Sequence, residues 1–166
     1  MSAPVSTPPA FQVFLDEHSA PVLAFLRAMV APSDVDDCFQ ETFIAALRAY
    51  RRMDGRHPRA WVMTIAKRKA IDHHRARARR PEPRAELPES VAGDGHPSEA
   101  SDERVRAAVS ALPETQRAAI ALRYAADLPY REIAAALGCS EQAARRRVSD
   151  AHRALRTKIK AEEATR

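Results

Sequence analysis

Apolar residues recur along almost the whole chain at the three- and four-residue intervals that lay one face of an α-helix against a core. Phe11, Phe14, Leu15, Val22, Phe25, Leu26 and Met29 form the first such face. Pro21 falls inside it and is expected to kink or break the helix, since it lacks an N–H and crowds the preceding turn. Ser33, with Asp36 three residues on, reads as a capping-box-like start for a second helix, and Asp34 suits the positive end of its dipole. Val35, Cys38, Phe39, Thr42, Phe43, Ala46, Leu47 and Tyr50 make the buried stripe of that helix, which turns Asp37, Gln40, Glu41 and Arg48 outward. A third helix begins near Pro58, with Trp61, Val62, Ile65, Ala66 and Ile71 apolar. β-branched residues never cluster in alternation and glycine is scarce, so the expected fold is all-α.

The C-terminal half carries the sharpest pattern. In Leu112–Pro129, Pro113 suits a first helical turn and Glu114 complements the dipole. Tyr130–Arg156 then reads as a helix-turn-helix. Ile133, Ala134 and Leu137 give a short apolar face, and Gly138 can leave the helix with positive φ. Ser140 is an N-cap for the next helix, whose inward stripe is Ala144, Val148, Ala151 and Leu155. Arg145, Arg146 and Ser149 fall largely outside that stripe, and a triple arginine at 145–147 must place at least two cations outward. Such a helix fits a major groove, with long side chains reaching phosphates and base edges.

Charge changes the picture more than composition does. The formal net charge is only +5, but it is laid out in blocks. Residues 1–50 oppose Arg27 and Arg48 with six carboxylates, residues 51–84 are densely cationic, and residues 85–103 contain no Lys or Arg. Basic blocks imply a polyanion partner, and the acidic front implies a different one. Pro, Gly, Ser and acidic residues dominate Pro81–Ala100, the composition of a flexible linker. The organisation expected is a disordered start (1–10), a helical domain (11–80), a linker (81–101), a helix-turn-helix domain (102–158, the motif at about 130–149) and a tail (159–166).

Few other chemistries are open. Cys38 and Cys139 sit in apolar patterns of different halves and read as small buried side chains rather than a disulfide. Asp72, His73 and His74 are consecutive, so on a helix they project roughly 100° apart and cannot converge on one metal. Asp72 is expected to pair with Arg68 or Arg75 instead. His18, His57, His96 and His152 read as solvated or capping. No nucleophile motif, phosphate-cradling glycine loop or paired-carboxylate pattern is present, so catalysis, cofactor and metal are not expected. The start MSAPVSTPPA has no signal-peptide character and no apolar run could span a bilayer, which points to the cytoplasm without membrane contact.

Both halves of the chain, about Phe11–Arg80 and Arg104–Arg156, resemble bacterial extracytoplasmic-function (ECF) sigma factors. The LP-x-x-Q-R start at Leu112, Leu122-Arg123-Tyr124, Asp127-Leu128, Glu132-Ile133-Ala134 and the terminal Ala-Leu-Arg are similar in order and spacing to the family's C-terminal domain. DCFQETF (37–43) resembles the family's segment that docks on the clamp helices of the largest subunit of core RNA polymerase. RAWVMTIAKRKAIDHHR (59–75) resembles the segment that captures the melted minus-ten element. The resemblance implies polymerase docking by Asp37, Gln40, Glu41 and Phe43. It implies minus-ten contacts by Arg59, Trp61, Lys67, Arg68, Arg75 and Arg77, although Trp61 also reads as a core residue. Minus-thirty-five contacts would come from Ser140, Gln142, Arg145, Arg146, Arg147 and Ser149. Promoter DNA and an anti-sigma factor are the further partners it implies, and the linker would thread toward the RNA exit path.

Three departures from the family pattern bear on specificity. Arg68 stands where Asn is common, Lys69 where an apolar residue is usual, and Gln142-Ala143-Ala144 where Gly-Thr-Val is usual. The function implied is promoter-specific initiation with core polymerase. Two alternatives remain: a stand-alone helix-turn-helix regulator, and a sigma-like protein that binds polymerase or an anti-sigma factor without opening promoters.

Overall fold

The computed structural model describes residues 10–79 and 97–164, all helices, turns and connecting bends. The helices are α1 (Phe11–Met29), α2 (Val35–Ala49), α3 (Pro58–Arg79), α4 (Pro97–Ser110), α5 (Glu114–Tyr124), α6 (Tyr130–Leu137) and α7 (Glu141–Ala164). Short 3-10 turns at Pro32–Asp34 and Tyr50–Arg52 flank α2. The expected disordered start, apart from Ala10, and the linker up to residue 96 lie outside the described residues. Helix α4 opens at Pro97, inside the stretch that composition marks as linker, because a proline can occupy the first turn of a helix. Likewise α7 runs on to Ala164, so most of the expected tail is helical.

Two local expectations fail for identifiable reasons, and the break allowed for at Pro21 does not occur. Pro21 does not break α1, which runs uninterrupted past it; Val22, Phe25 and Leu26 are fully buried and hold the second half of the helix on the core. Ser33 does not cap α2. It lies in the preceding 3-10 turn, its hydroxyl 3.3 Å from Asp34 Oδ1, and the cap position carries no side-chain bond. Leu47 is 55% exposed, because it lies roughly 135° round the helix from the centre of the stripe formed by Val35, Cys38, Thr42 and Ala46.

Helix–turn–helix geometry follows the local chemistry closely. Gly138 adopts φ 62° and ψ 42°, and its N–H and that of Cys139 satisfy the last carbonyls of α6. Ser140 Oγ accepts from the Ala143 N–H at 3.1 Å, capping α7. Ala144, Val148 and Ala151 are buried, as their spacing requires.

The two halves pack against each other along a seam. Ala118, Ala121, Leu122, Leu128, Ile133, Ala134 and Ala136 belong to the same apolar cluster as Phe14, Val22, Phe25, Val62 and Met63. Alanines predominate on the C-terminal side of the seam, so helix backbones come close enough for main-chain groups to be reached from the other half. Two cations use that access. Lys67 Nζ donates to Ala136 O at 2.9 Å, and the Arg59 guanidinium donates to Ala126 O. Both carbonyls lie where an ordinary helical bond is missing, in the last turn of α6 and in the turn after α5.

Candidate nucleic-acid interface

On α2, Asp37, Gln40 and Glu41 are exposed on one face, as the i, i+3, i+4 spacing demands. The same face continues to Ile44 and Leu47, which are 48% and 55% exposed. Sequence reading missed this apolar pair as an exposed face, although stepping on from Gln40 by four and then by three reaches both. Phe43 is 6% exposed with its ring 4.9 Å from that of Phe39, so it supports the face from beneath and does not form it. Cys38 lies in the same layer. Burial and the neighbouring Glu41 carboxylate push its thiol up to about 12.

Glu41 also ties the acidic face to α3. Its carboxylate lies 3.5 Å from Lys69 Nζ and 3.3 Å from His73 Nε2. One turn further along α3, Arg77 Nη1 is 3.3 Å from Asp34 Oδ2. Arg77 is thus held on the start of α2 rather than projecting freely. The expected Asp72 pairs with Arg68 or Arg75 do not form, and Arg68 and Arg75 are exposed. Among the described residues no group of three or more His, Cys, Asp or Glu could hold a metal ion.

The proposed minus-ten residues divide sharply. Arg68 and Arg75 face outward; Arg59 and Lys67 are spent on the seam, where burial and the nearby Arg68 and Arg147 charges lower the Lys67 proton affinity. Trp61 is half-buried, its ring 5.8 Å from Phe14 and 6.5 Å from Tyr50, so it is part of an aromatic core cluster. Of the two readings open for this residue, packing is the one the geometry takes up.

His18, expected to be solvated or capping, is buried at the seam, edge-on to Phe14 at 4.5 Å. Burial depresses its pKa; the Glu17 and Glu132 carboxylates oppose that and the Arg59 charge adds to it. His18 Nε2, Arg59 Nε and Glu132 Oε2 are all buried without hydrogen-bond partners. The seam therefore carries an electrostatic cost alongside its apolar gain.

Each arginine of the 145–147 triplet has a different fate. Arg145 is clasped, 2.7 Å from Glu141 Oε1 with its guanidinium carbon 4.4 Å above the Tyr130 ring. Arg146 projects outward, its side chain 84% exposed. Arg147 is half-buried on the seam side, where its charge acts on Lys67. Ser140, Gln142 and Ser149 are exposed, although the Ser140 hydroxyl is occupied as a cap. His152 bonds Tyr124 Oη at 2.7 Å beside this face. Neither ring contact could be read from spacing, since each joins different helices.

Comparison with known proteins covers both halves. The sigma-70 region 2 profile matches residues 14–80 and the sigma-70 region 4 profile matches residues 102–155. The probable RNA polymerase sigma-C factor of Mycobacterium bovis is 32% identical over 150 residues, 88% of this chain and 81% of that protein. The ECF RNA polymerase sigma-E factor of Escherichia coli K12 is 31% identical, over 90% of this chain and 86% of that one. Among solved structures, CnrH in complex with the cytosolic domain of CnrY superposes with a TM-score of 0.71 at 25% identity, covering 91% of this chain and 88% of that one. RpoE of Bartonella quintana, in complex with the anti-sigma factor NepR, gives 0.71 at 22% identity over 90% and 96%, a likeness of fold.

Proposed function

This chain belongs to the sigma-70 family, in its ECF branch, and on that premise we propose a division of labour among its surfaces. It is a sigma factor directing transcription initiation. The face of α2 bearing Asp37, Gln40 and Glu41, extended by Ile44 and Leu47, docks core RNA polymerase at its largest-subunit clamp helices. Helix α7 reads duplex DNA at the minus-thirty-five element through Gln142, Arg146 and Ser149, with Arg145 aligned by Tyr130. Helix α3 meets the melted minus-ten strand through Arg68 and Arg75, joined by Arg59, Lys67 and Arg77 once their present partners are released. The observation that carries this reading is the separation, on one chain, of an acidic and apolar face on α2 from exposed cations on α3 and α7.

The seam adds a condition. While the halves are closed, two of the α3 cations are bound to carbonyls of the α5–α6 region, so the closed chain offers α7 to DNA more completely than α3. Core polymerase, by holding the halves apart, would release Arg59 and Lys67 and raise the effective concentration of both DNA contacts at one promoter. Weak binding to free DNA and strong promoter binding with core enzyme follow. The protein works as a binding factor rather than an enzyme, in the cytoplasm; no helix among the described residues is long and apolar enough to cross a membrane. An anti-sigma factor is a fitting further partner, given the partner-bound states of CnrH and RpoE. Run-off transcription with core enzyme alone, then with this protein added, tests the reading. New initiation at a defined set of promoters is expected, and none at any promoter would defeat it.

A further inference from the structure

The outward face of α7, opposite the buried Ala144, Val148 and Ala151, carries an acidic residue among its cations. Asp150 lies between Arg146 and Arg153, one turn from each. Its Oδ2 is 3.8 Å from Arg146 Nε and its Oδ1 3.8 Å from Arg153 Nη1. These separations are about 1 Å longer than a charge-assisted hydrogen bond. The contrast with Glu141, which grips Arg145 at 2.7 Å on the same helix, is direct. Each Asp150 oxygen thus faces one cation at ion-pair distance without a hydrogen bond to it, and the Asp150 side chain keeps 35% exposure beside the 84% and 78% of Arg146 and Arg153.

A carboxylate on a helix that enters a groove lined by phosphates opposes binding at every sequence. It favours binding only where a base offers it a donor. In the major groove that donor is an exocyclic amino group, N4 of cytosine or N6 of adenine, while arginine is suited to O6 and N7 of guanine. We propose that Asp150 is a specificity-determining residue of the minus-thirty-five contact. It accepts a hydrogen bond from a cytosine or adenine amino group, beside a guanine read by Arg146. The inference rests on the sigma-factor reading above and assigns one position of the element that α7 selects. It gives α7 an alternation of donor, acceptor and donor in Arg146, Asp150 and Arg153, and it makes discrimination depend partly on repulsion from wrong sites.

The test uses holoenzyme made from core polymerase and the full chain, transcribing a pool of promoters randomised across the upstream element, with transcripts sequenced. Wild type is expected to prefer cytosine or adenine at one position, and which of the two identifies the amino group. Asp150→Ala should flatten that position by about five- to a hundredfold, the range for one good base contact. It should leave the remaining positions selective and raise output from poor templates. Arg146→Ala should flatten a neighbouring guanine position instead. A separate thermal melt of Asp150→Ala checks that α7 is intact. An unchanged profile for Asp150→Ala, or a uniform loss across all templates, would overturn the assignment and leave Asp150 as an intrahelical charge partner. Wild-type holoenzyme that initiates nowhere would instead overturn the sigma-factor reading, and this one with it.

Discussion

Removing the two cations that cross the seam, as Arg59→Ala with Lys67→Ala, should open the free protein. A hydrogen bond from a charged donor to a carbonyl contributes about 1.5–3 kcal/mol. Part of that is offset here by withdrawing the cation from water, a cost visible in the lowered proton affinity of Lys67. A net value of about 1 kcal/mol per link is reasonable, and the acceptors Ala126 and Ala136 lie at separate points of the seam. The double variant would then lose about 2 kcal/mol, or roughly thirtyfold in the ratio of closed to open molecules. Each half keeps buried residues of its own, Phe25 and Val62 in one and Val148 and Ala151 in the other, so both forms should stay folded. Dyes attached through Arg48→Cys on α2 and Arg153→Cys on α7, with Cys139→Ser to remove the accessible native thiol, report the separation by energy transfer. The free double variant should show a longer distance population that is minor in the parent. An unmoved distribution would refute the idea that these cations clasp the halves, and would leave closure to apolar packing alone.

Further outcomes follow from other parts of the structure. The depressed pKa of His18 means that the closed form binds this proton less readily than the open form. The His18 contribution to closure should therefore be fully present well above about pH 6.5 and be lost as pH falls from there through the lower, closed-state value. His18→Gln should flatten that dependence between pH 7.5 and 5.5 in the same energy-transfer assay, and a slope retained by the variant would place the titrating group elsewhere. Gly138→Ala should cost about 1–2 kcal/mol in a denaturant melt, purely for left-handed backbone. The added Cβ meets nothing within 4 Å, so a much larger loss would indicate contacts the geometry lacks. Glu41→Lys should weaken association with core polymerase by on the order of tenfold at low salt and less at high salt; unaltered holoenzyme assembly would count against α2 as the docking face. A thiol reagent at pH 8 should modify the partly exposed Cys139 and spare Cys38 until the chain unfolds, since Cys38 is buried and its thiol is pushed up to about 12. Mass spectrometry of the labelled peptides decides it.

Most of the local architecture is written in short-range chemistry and is therefore legible in the residues alone. Gly138 and Ser140 close and open adjacent helices through their own backbone and hydroxyl, and Ala144, Val148 and Ala151 point inward because a helix repeats every 3.6 residues. The outward acids of α2 follow from the same periodicity. Fates decided by another helix could not be read this way. Arg59, Lys67 and Arg147 look like ordinary members of cationic runs until α5 and α6 arrive to supply bare carbonyls and a packed seam. Trp61 becomes core only because Phe14 and Tyr50 converge on it, and His18 comes under the Glu132 charge only because the second half packs at the seam. Periodicity states which side of a helix is apolar, whereas the partner that covers a side, and the charges left facing one another beneath it, exist only once distant segments pack.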